Sequence, residues 1–174
     1  RAELEKKQGL ILKIVGLANS KKMLFDERGI AINGWQAEMA SSKKIMNLSE
    51  YLVTIKQMNL QNSLFVDCTA TASVAESYEK LLKAGVSIVT PNKKAASGAL
   101  KYYKKTKKIE AVRGVRFLYK TNVGAGLPII DTLNDLLTTG DTILKIEAVL
   151  SGTLSYIFNN FVGNKKFSEI VREA

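Results

Sequence analysis

The chain has 174 residues, 46% apolar and 24% charged, with two prolines; this composition belongs to folded globular proteins and excludes a disordered or low-complexity chain. Histidine is absent and Cys68 is the single cysteine, which excludes an internal disulfide and imidazole-activated serine or thiol catalysis. The 26 basic and 16 acidic residues leave a formal charge of +10, so a nucleic-acid or polyphosphate partner has to be weighed.

RAELEKKQG at the N-terminus reads as the tail of a helix. With the LILK that follows, it lacks the order of charged, apolar and small residues that marks a signal peptide. No apolar run reaches the roughly 20 residues of a membrane span, and the chain reads as cytoplasmic with no membrane association. LILKIVGLAN (10–19) is an apolar, β-branched run that predicts a buried strand ending at the turn-prone Asn19 and Ser20, with a loop region after it. NLSEYLVTIKQM (47–58) predicts a helix and SLFVDCT (63–69) a short buried strand, in which Cys68 reads as a small buried hydrophobe. Val74, Ala75, Tyr78, Leu81 and Leu82 recur at helical spacing, Gly85 supplies a stop, and VSIVT (86–90) returns as a strand.

In KYYKKTKKIE, Lys101, Lys104, Lys105 and Lys108 share a face if the segment is helical. GVRFLYK (114–120) reads as a strand and TNVGAG as a turn. Ile129, Ile130, Leu133, Leu136 and Leu137 then form a helical stripe that starts with Pro128 in its first turn and ends near Gly140. ILKIEAVLS (143–151) predicts a strand, and Leu154, Ile157, Phe158 and Phe161 a further amphipathic helix. Strands without polar alternation, joined by helices, predict a parallel sheet covered on both faces: a doubly wound α/β fold with right-handed crossovers. From residue 114 the pattern changes and predicts a second part packed against the first.

Ligands of such sheets bind beyond the carboxyl ends of the strands, where loops and helix N-termini present unpaired N–H groups. Three loops qualify. Thr69 and Ala70 lie in a turn whose small side chains allow close approach to the backbone. Pro91-Asn92-Lys93-Lys94-Ala95 offers point charges for a phosphate or carboxylate, although adjacent loop lysines are often only solvated. Asn19 and Ser20, followed by Lys21 and Lys22, stand where NAD-selective folds carry an acid for the ribose 2′-hydroxyl; a polar, basic corner suits a 2′-phosphate, so NADP is expected with NAD possible. The G-x-G-x-x-G that should open a dinucleotide fold is missing. A basic module binding nucleic acid or polyphosphate through the lysine face is the alternative, but no zinc-ligand pattern, RNP-like strand or GXXG loop supports it, and no nucleic-acid partner is expected.

VDCTAT (66–71), VTPNKKA (89–95), FLYKTNVGAGLPII (117–130) and VLSGTLSYIFNNF (149–161) strongly resemble homoserine dehydrogenase, in particular the dehydrogenase part of bifunctional aspartokinase/homoserine dehydrogenases. GLANSKKMLFDERGI (16–30) adds to the resemblance, which runs over essentially the whole chain. It implies a Rossmann-like NAD(P)-binding domain over 1–113, lacking its first strand and Gly-rich loop, and the N-terminal part of an α+β substrate-binding and dimerisation domain over 114–174. It also implies a homodimer and the NAD(P)-dependent interconversion of L-aspartate 4-semialdehyde and L-homoserine, in the route to threonine, methionine and isoleucine.

By the same resemblance, Thr69 and Ala70 lie against the cofactor. Lys93, or Lys94 if the register slips, sits between cofactor and substrate as the catalytic and cofactor-binding residue. Gly152 and Thr153 border the substrate. The carbonyls of Val123, Ala125 and Leu127 help bind a sodium ion, with glycines between them turning the oxygens inward; a strand-to-helix turn that merely needs a flexible backbone explains the same residues. Two departures stand out. Lys120 replaces the family's acidic ligand, so the sodium site is expected to be weakened or lost. The family's acid-rich segment and second lysine lie beyond Ala174, so this polypeptide by itself is expected to have negligible dehydrogenase activity.

Overall fold

The computed structural model describes residues 2–163 and 165–174. The first helix, α1 (Ala2–Gln8), buries no residue. β1 (Gly16–Ala18) turns back to pair antiparallel with β2 (Met23–Phe25), Gly16 opposite Phe25 and Ala18 opposite Met23. Asn19 makes the turn: its side-chain oxygen accepts the N–H groups of Lys21 and Lys22, both at 2.8 Å, as asparagine does in turns.

The expected buried strand over 10–19 is therefore corrected. Only its last part is a strand, it is antiparallel, and Leu10, Ile11, Leu12 and Ile14 are exposed. An apolar run signals burial but does not say which neighbour supplies the ladder. Here the neighbour is β2, within the region read as loop.

After the short helix α2 (Trp35–Ser41), α3 (Leu48–Met58) starts where expected, because the Asn47 side chain accepts the Glu50 N–H at 3.0 Å. Its Tyr51 stacks on Phe25 at 4.6 Å between ring centroids and meets Phe65 edge-on at 6.4 Å. This aromatic chain joins the hairpin to the second sheet.

That sheet is parallel, in the order β3 (Leu64–Val66), β4 (Ser87–Val89), β5 (Phe117–Leu118), with Phe65 opposite Ile88 and Ile88 opposite Phe117. α4 (Ala72–Glu76) and α5 (Tyr78–Lys83) make the first crossover, α6 (Lys94–Ser97) and α7 (Leu100–Arg113) the second. The helix expected as one piece over 74–82 breaks at Ser77, whose hydroxyl donates to the Val74 carbonyl at 2.6 Å and competes with the helical pattern. Gly85, at φ 83°, ends α5.

Tyr78, Leu81, Leu82, Val86, Ile88, Val115 and Phe117 form the core between helices and sheet. Full burial of such a side chain is worth about 1.5–3 kcal/mol. Glu79 accepts from Lys83 at 2.6 Å and from Lys105 at 2.8 Å, tying α5 to α7. Leu64 and Val66 share one face of β3 and are exposed there, which corrects the reading of 63–69 as a buried strand: that face of β3 has no covering layer. Cys68 is exposed too, correcting its reading as a buried hydrophobe.

A 3-10 turn (Lys120–Asn122) leads through residues 123–127 to α8 (Ile129–Thr138), for which Pro128 is the N-cap and not, as expected, a first-turn residue. α9 (Gly152–Asn160) is capped by the Ser151 hydroxyl, which accepts the Leu154 N–H at 3.2 Å. α10 (Phe167–Glu173) packs on α9, with Phe167 edge-on to Phe161 at 5.4 Å. The strand expected over 143–151 is not formed: the segment finds no ladder partner among the described residues, and Leu144 is 93% exposed. A strand exists only with a neighbour to pair.

Candidate active site

Two loops leave the carboxyl ends of the adjacent strands β3 and β4, and one buried carboxylate holds them together. Asp67 is 2% exposed. Its Oδ1 accepts the Thr69 N–H at 2.7 Å, and its Oδ2 accepts the Tyr78 hydroxyl at 2.5 Å and Asn92 Nδ2 at 2.9 Å. A carboxylate leaves water at high cost unless donors occupy its lone pairs. Here three donors take the place of a counter-ion.

The Thr90 hydroxyl donates to the Asp67 carbonyl at 2.9 Å and accepts the Asn92 N–H at 2.8 Å. Asn92 Nδ2 also reaches the Thr71 carbonyl at 3.0 Å, while Asn92 Oδ1 accepts the Lys94 N–H at 3.1 Å. Burial first, and then the hydrogen bond to Asp67, pushes the Tyr78 phenol above its ordinary range.

Beside the second loop is a cavity of about 280 Å³ lined by Lys93, Ser97, Tyr103, Tyr119, Asn122 and Val123. The Tyr103 and Tyr119 hydroxyls lie 2.6 Å apart, and burial, then this bond, raises the Tyr119 phenol out of its usual range. The turn that follows has Gly124 at φ 71° and Ala125 at φ 51°. A Cβ on Gly124 would overlap Ile129 Cδ1, so this glycine meets a steric need as well as a conformational one.

Of the residues singled out in the sequence, Thr69, Ala70 and Lys93 lie on the two loops joined by Asn92. Asn19 and Ser20 lie elsewhere, at the turn between β1 and β2, outside the parallel sheet. Gly152 and Thr153 open α9, whose packing partner is α10, and no hydrogen bond among the described residues ties them to the parallel sheet. Val123, Ala125 and Leu127 follow one another through the turn; the Leu127 carbonyl accepts the Ile129 N–H at 2.9 Å, and Lys120 Nζ sits 2.6 Å from Asp131 Oδ2. Among the described residues no group of three or more His, Cys, Asp or Glu could hold a metal ion.

Sequence reasoning missed Asp67, Tyr78, Thr90, Asn92 and Asn122. Asp67 carried a signal: an acid closing an apolar strand run must be either exposed or fully hydrogen-bonded.

The family model described as the NAD binding domain of homoserine dehydrogenase matches residues 2–120, and the model described as homoserine dehydrogenase matches 128–174. The chain belongs to the homoserine dehydrogenase family. It is 44% identical over 174 residues to bifunctional aspartokinase/homoserine dehydrogenase 1 of Arabidopsis thaliana, covering 99% of this chain and 19% of that protein. It is 39% identical over 154 residues to homoserine dehydrogenase of Schizosaccharomyces pombe, covering 86% of this chain and 41% of the relative.

Among solved structures, a hyperthermophilic archaeal homoserine dehydrogenase in complex with NADPH superposes with a TM-score of 0.75 at 23% identity, over 99% of this chain and 54% of that one. At that identity the likeness concerns the fold, an incomplete Rossmann-like α/β architecture. The chain spans about a fifth of the length of the bifunctional relatives it matches.

Proposed function

We propose that this chain serves homoserine dehydrogenase chemistry, the NAD(P)-dependent interconversion of L-aspartate 4-semialdehyde and L-homoserine. The observation that carries this reading is the Asp67–Asn92 hydrogen bond at 2.9 Å, which gathers the Thr69–Ala70 and Lys93 loops at one edge of the parallel sheet, where such sheets take nucleotides. The fit to a nicotinamide nucleotide rests on the exposed loops there and on the Lys93-lined cavity beside them. When bound, the nicotinamide supplies the hydride donor or acceptor. In this reading the Lys93 ammonium steers the phosphate or carboxylate of the ligands and assists proton transfer to the developing alkoxide; Thr69 and Ala70 hold the cofactor, and Gly152 and Thr153 border the substrate.

NADP rather than NAD is proposed on the basic composition of Asn19, Ser20, Lys21 and Lys22 alone, at a turn outside the parallel sheet. Residues 1–113 are assigned to the nucleotide-binding part and 114–174 to the substrate-binding and dimerisation part, and the exposed segment 143–151 supports a homodimer in which a second copy covers it. The residues at 120–131 do not fit a sodium ion: an ammonium, already bonded to Asp131, stands where a ligand carboxylate would be needed.

The alternative, a polyanion-binding module, loses support because Lys105, one of the four lysines of the α7 face, is paired with Glu79. NADPH-dependent reduction of L-aspartate 4-semialdehyde by the natural full-length polypeptide tests the proposal. Salt-sensitive RNA binding without dinucleotide binding would replace it.

A further inference from the structure

Asn122 ends the 3-10 turn and lines the same cavity as Lys93. Its side-chain Oδ1 is buried and has no hydrogen-bond partner among the described residues. Buried polar atoms are nearly always satisfied, and an exception calls for an explanation. The amide orientation is set by the other end of the group: Nδ2 faces the Asn92 carbonyl at 3.4 Å. A flipped amide would bring two oxygens together there and bury an unpaired N–H₂ instead.

Neighbouring donors do not resolve the shortage. The Tyr103 and Tyr119 hydroxyls bond to each other, at 2.6 Å, and Lys93 is a surface side chain. The cavity thus combines an unused acceptor, a cation and two aromatic edges.

We propose that Asn122 Oδ1 is a ligand-binding acceptor that takes an N–H from the molecule held at the Lys93 cavity. This rests on the functional reading above and adds a residue to it. Two ligands of that reading bring such a donor: the carboxamide of the nicotinamide and the ammonium of the amino-acid substrate. The Lys93 ammonium in the same cavity disfavours a second cation, which points to the neutral carboxamide.

The test measures equilibrium dissociation constants, by quenching of protein fluorescence, in the natural full-length polypeptide. Its probes are NADPH and the reduced 3-acetylpyridine analogue, in which a methyl replaces the carboxamide nitrogen. The wild type should bind NADPH about tenfold tighter than the analogue, the worth of one hydrogen bond to a buried acceptor. In Asn122→Leu the two constants should become equal. Should Asn122→Leu fail to fold, Asn122→Ala reads the same ratio.

An unchanged ratio in Asn122→Leu, with the KM for homoserine raised about tenfold, assigns the donor to the substrate ammonium and upholds the acceptor role. An unchanged ratio with unchanged substrate KM overturns the proposal. A wild type that binds neither dinucleotide removes the functional reading itself.

Discussion

Asn92 reaches across from the loop after β4 to donate to the buried carboxylate of Asp67 at the end of β3, 2.9 Å away. With the Asn92–Thr71 and Thr90–Asp67 bonds, it sets the spacing between the loop that carries Thr69 and the loop that carries Lys93. Asp67→Ala removes an acceptor from Tyr78, Asn92 and the Thr69 N–H at once. A loss of about 1–3 kcal/mol in denaturant unfolding is expected for the buried groups left unpaired, together with weaker NADPH binding. Unchanged stability in Asp67→Ala would mean that the loops are held by other contacts.

The Tyr78 phenol titrates above its ordinary value of 10.0, because burial and the Asp67 bond favour the neutral form. A group whose folded value is raised contributes stability that is complete below the unfolded value and is lost as pH rises towards the folded one. Unfolding free energy should therefore decline on alkaline titration from about pH 10, with Tyr51, raised to about 12 by burial, adding to the fall. Tyr78→Phe should flatten that decline while lowering stability at neutral pH, a pair of effects that urea titrations at several pH values can read.

Glu79 shows the opposite sign. The hydrogen bond from Lys105, then that from Lys83, holds its carboxyl below the ordinary value of 4.5. Its contribution is present above that value and disappears as pH falls through the folded one. Both lysines are about half exposed, so salt should weaken the effect. Glu79→Gln should make the acid limb of the stability profile shallower and less salt-dependent; an acid limb identical to wild type would show that the link between α5 and α7 contributes nothing measurable.

Gly124→Ala forces a side chain into a backbone at φ 71° and against Ile129 Cδ1. The left-handed conformation alone costs a non-glycine residue about 1–2 kcal/mol, and the overlap adds to it. Thermal unfolding should show a clear loss for Gly124→Ala. Gly126→Ala, where the added Cβ meets nothing within 4 Å, should be close to neutral.

Local signals were legible wherever local chemistry decides the outcome. Asn47 opens α3, Gly85 closes α5 and Pro128 precedes α8, each through its own backbone or side chain. The loops bearing Thr69 and Lys93 were legible for a similar reason: they follow strands that end in turn-forming residues. The hairpin of β1 and β2, the unpaired segment 143–151 and the exposure of Cys68 were not, because an apolar run states an appetite for burial without naming its partner.

The sequence by itself determined a parallel α/β sheet with three candidate loops, two of which leave that sheet, since strand and helix periods and turn residues are properties of neighbours along the chain. Only the tertiary structure decided that Asp67, Tyr78, Thr90 and Asn92, up to 25 positions apart, form one hydrogen-bonded unit, and that Asn122 presents an unused acceptor beside Lys93. Hydrogen bonds require atoms within about 3 Å of each other, a condition that separation along the chain does not encode.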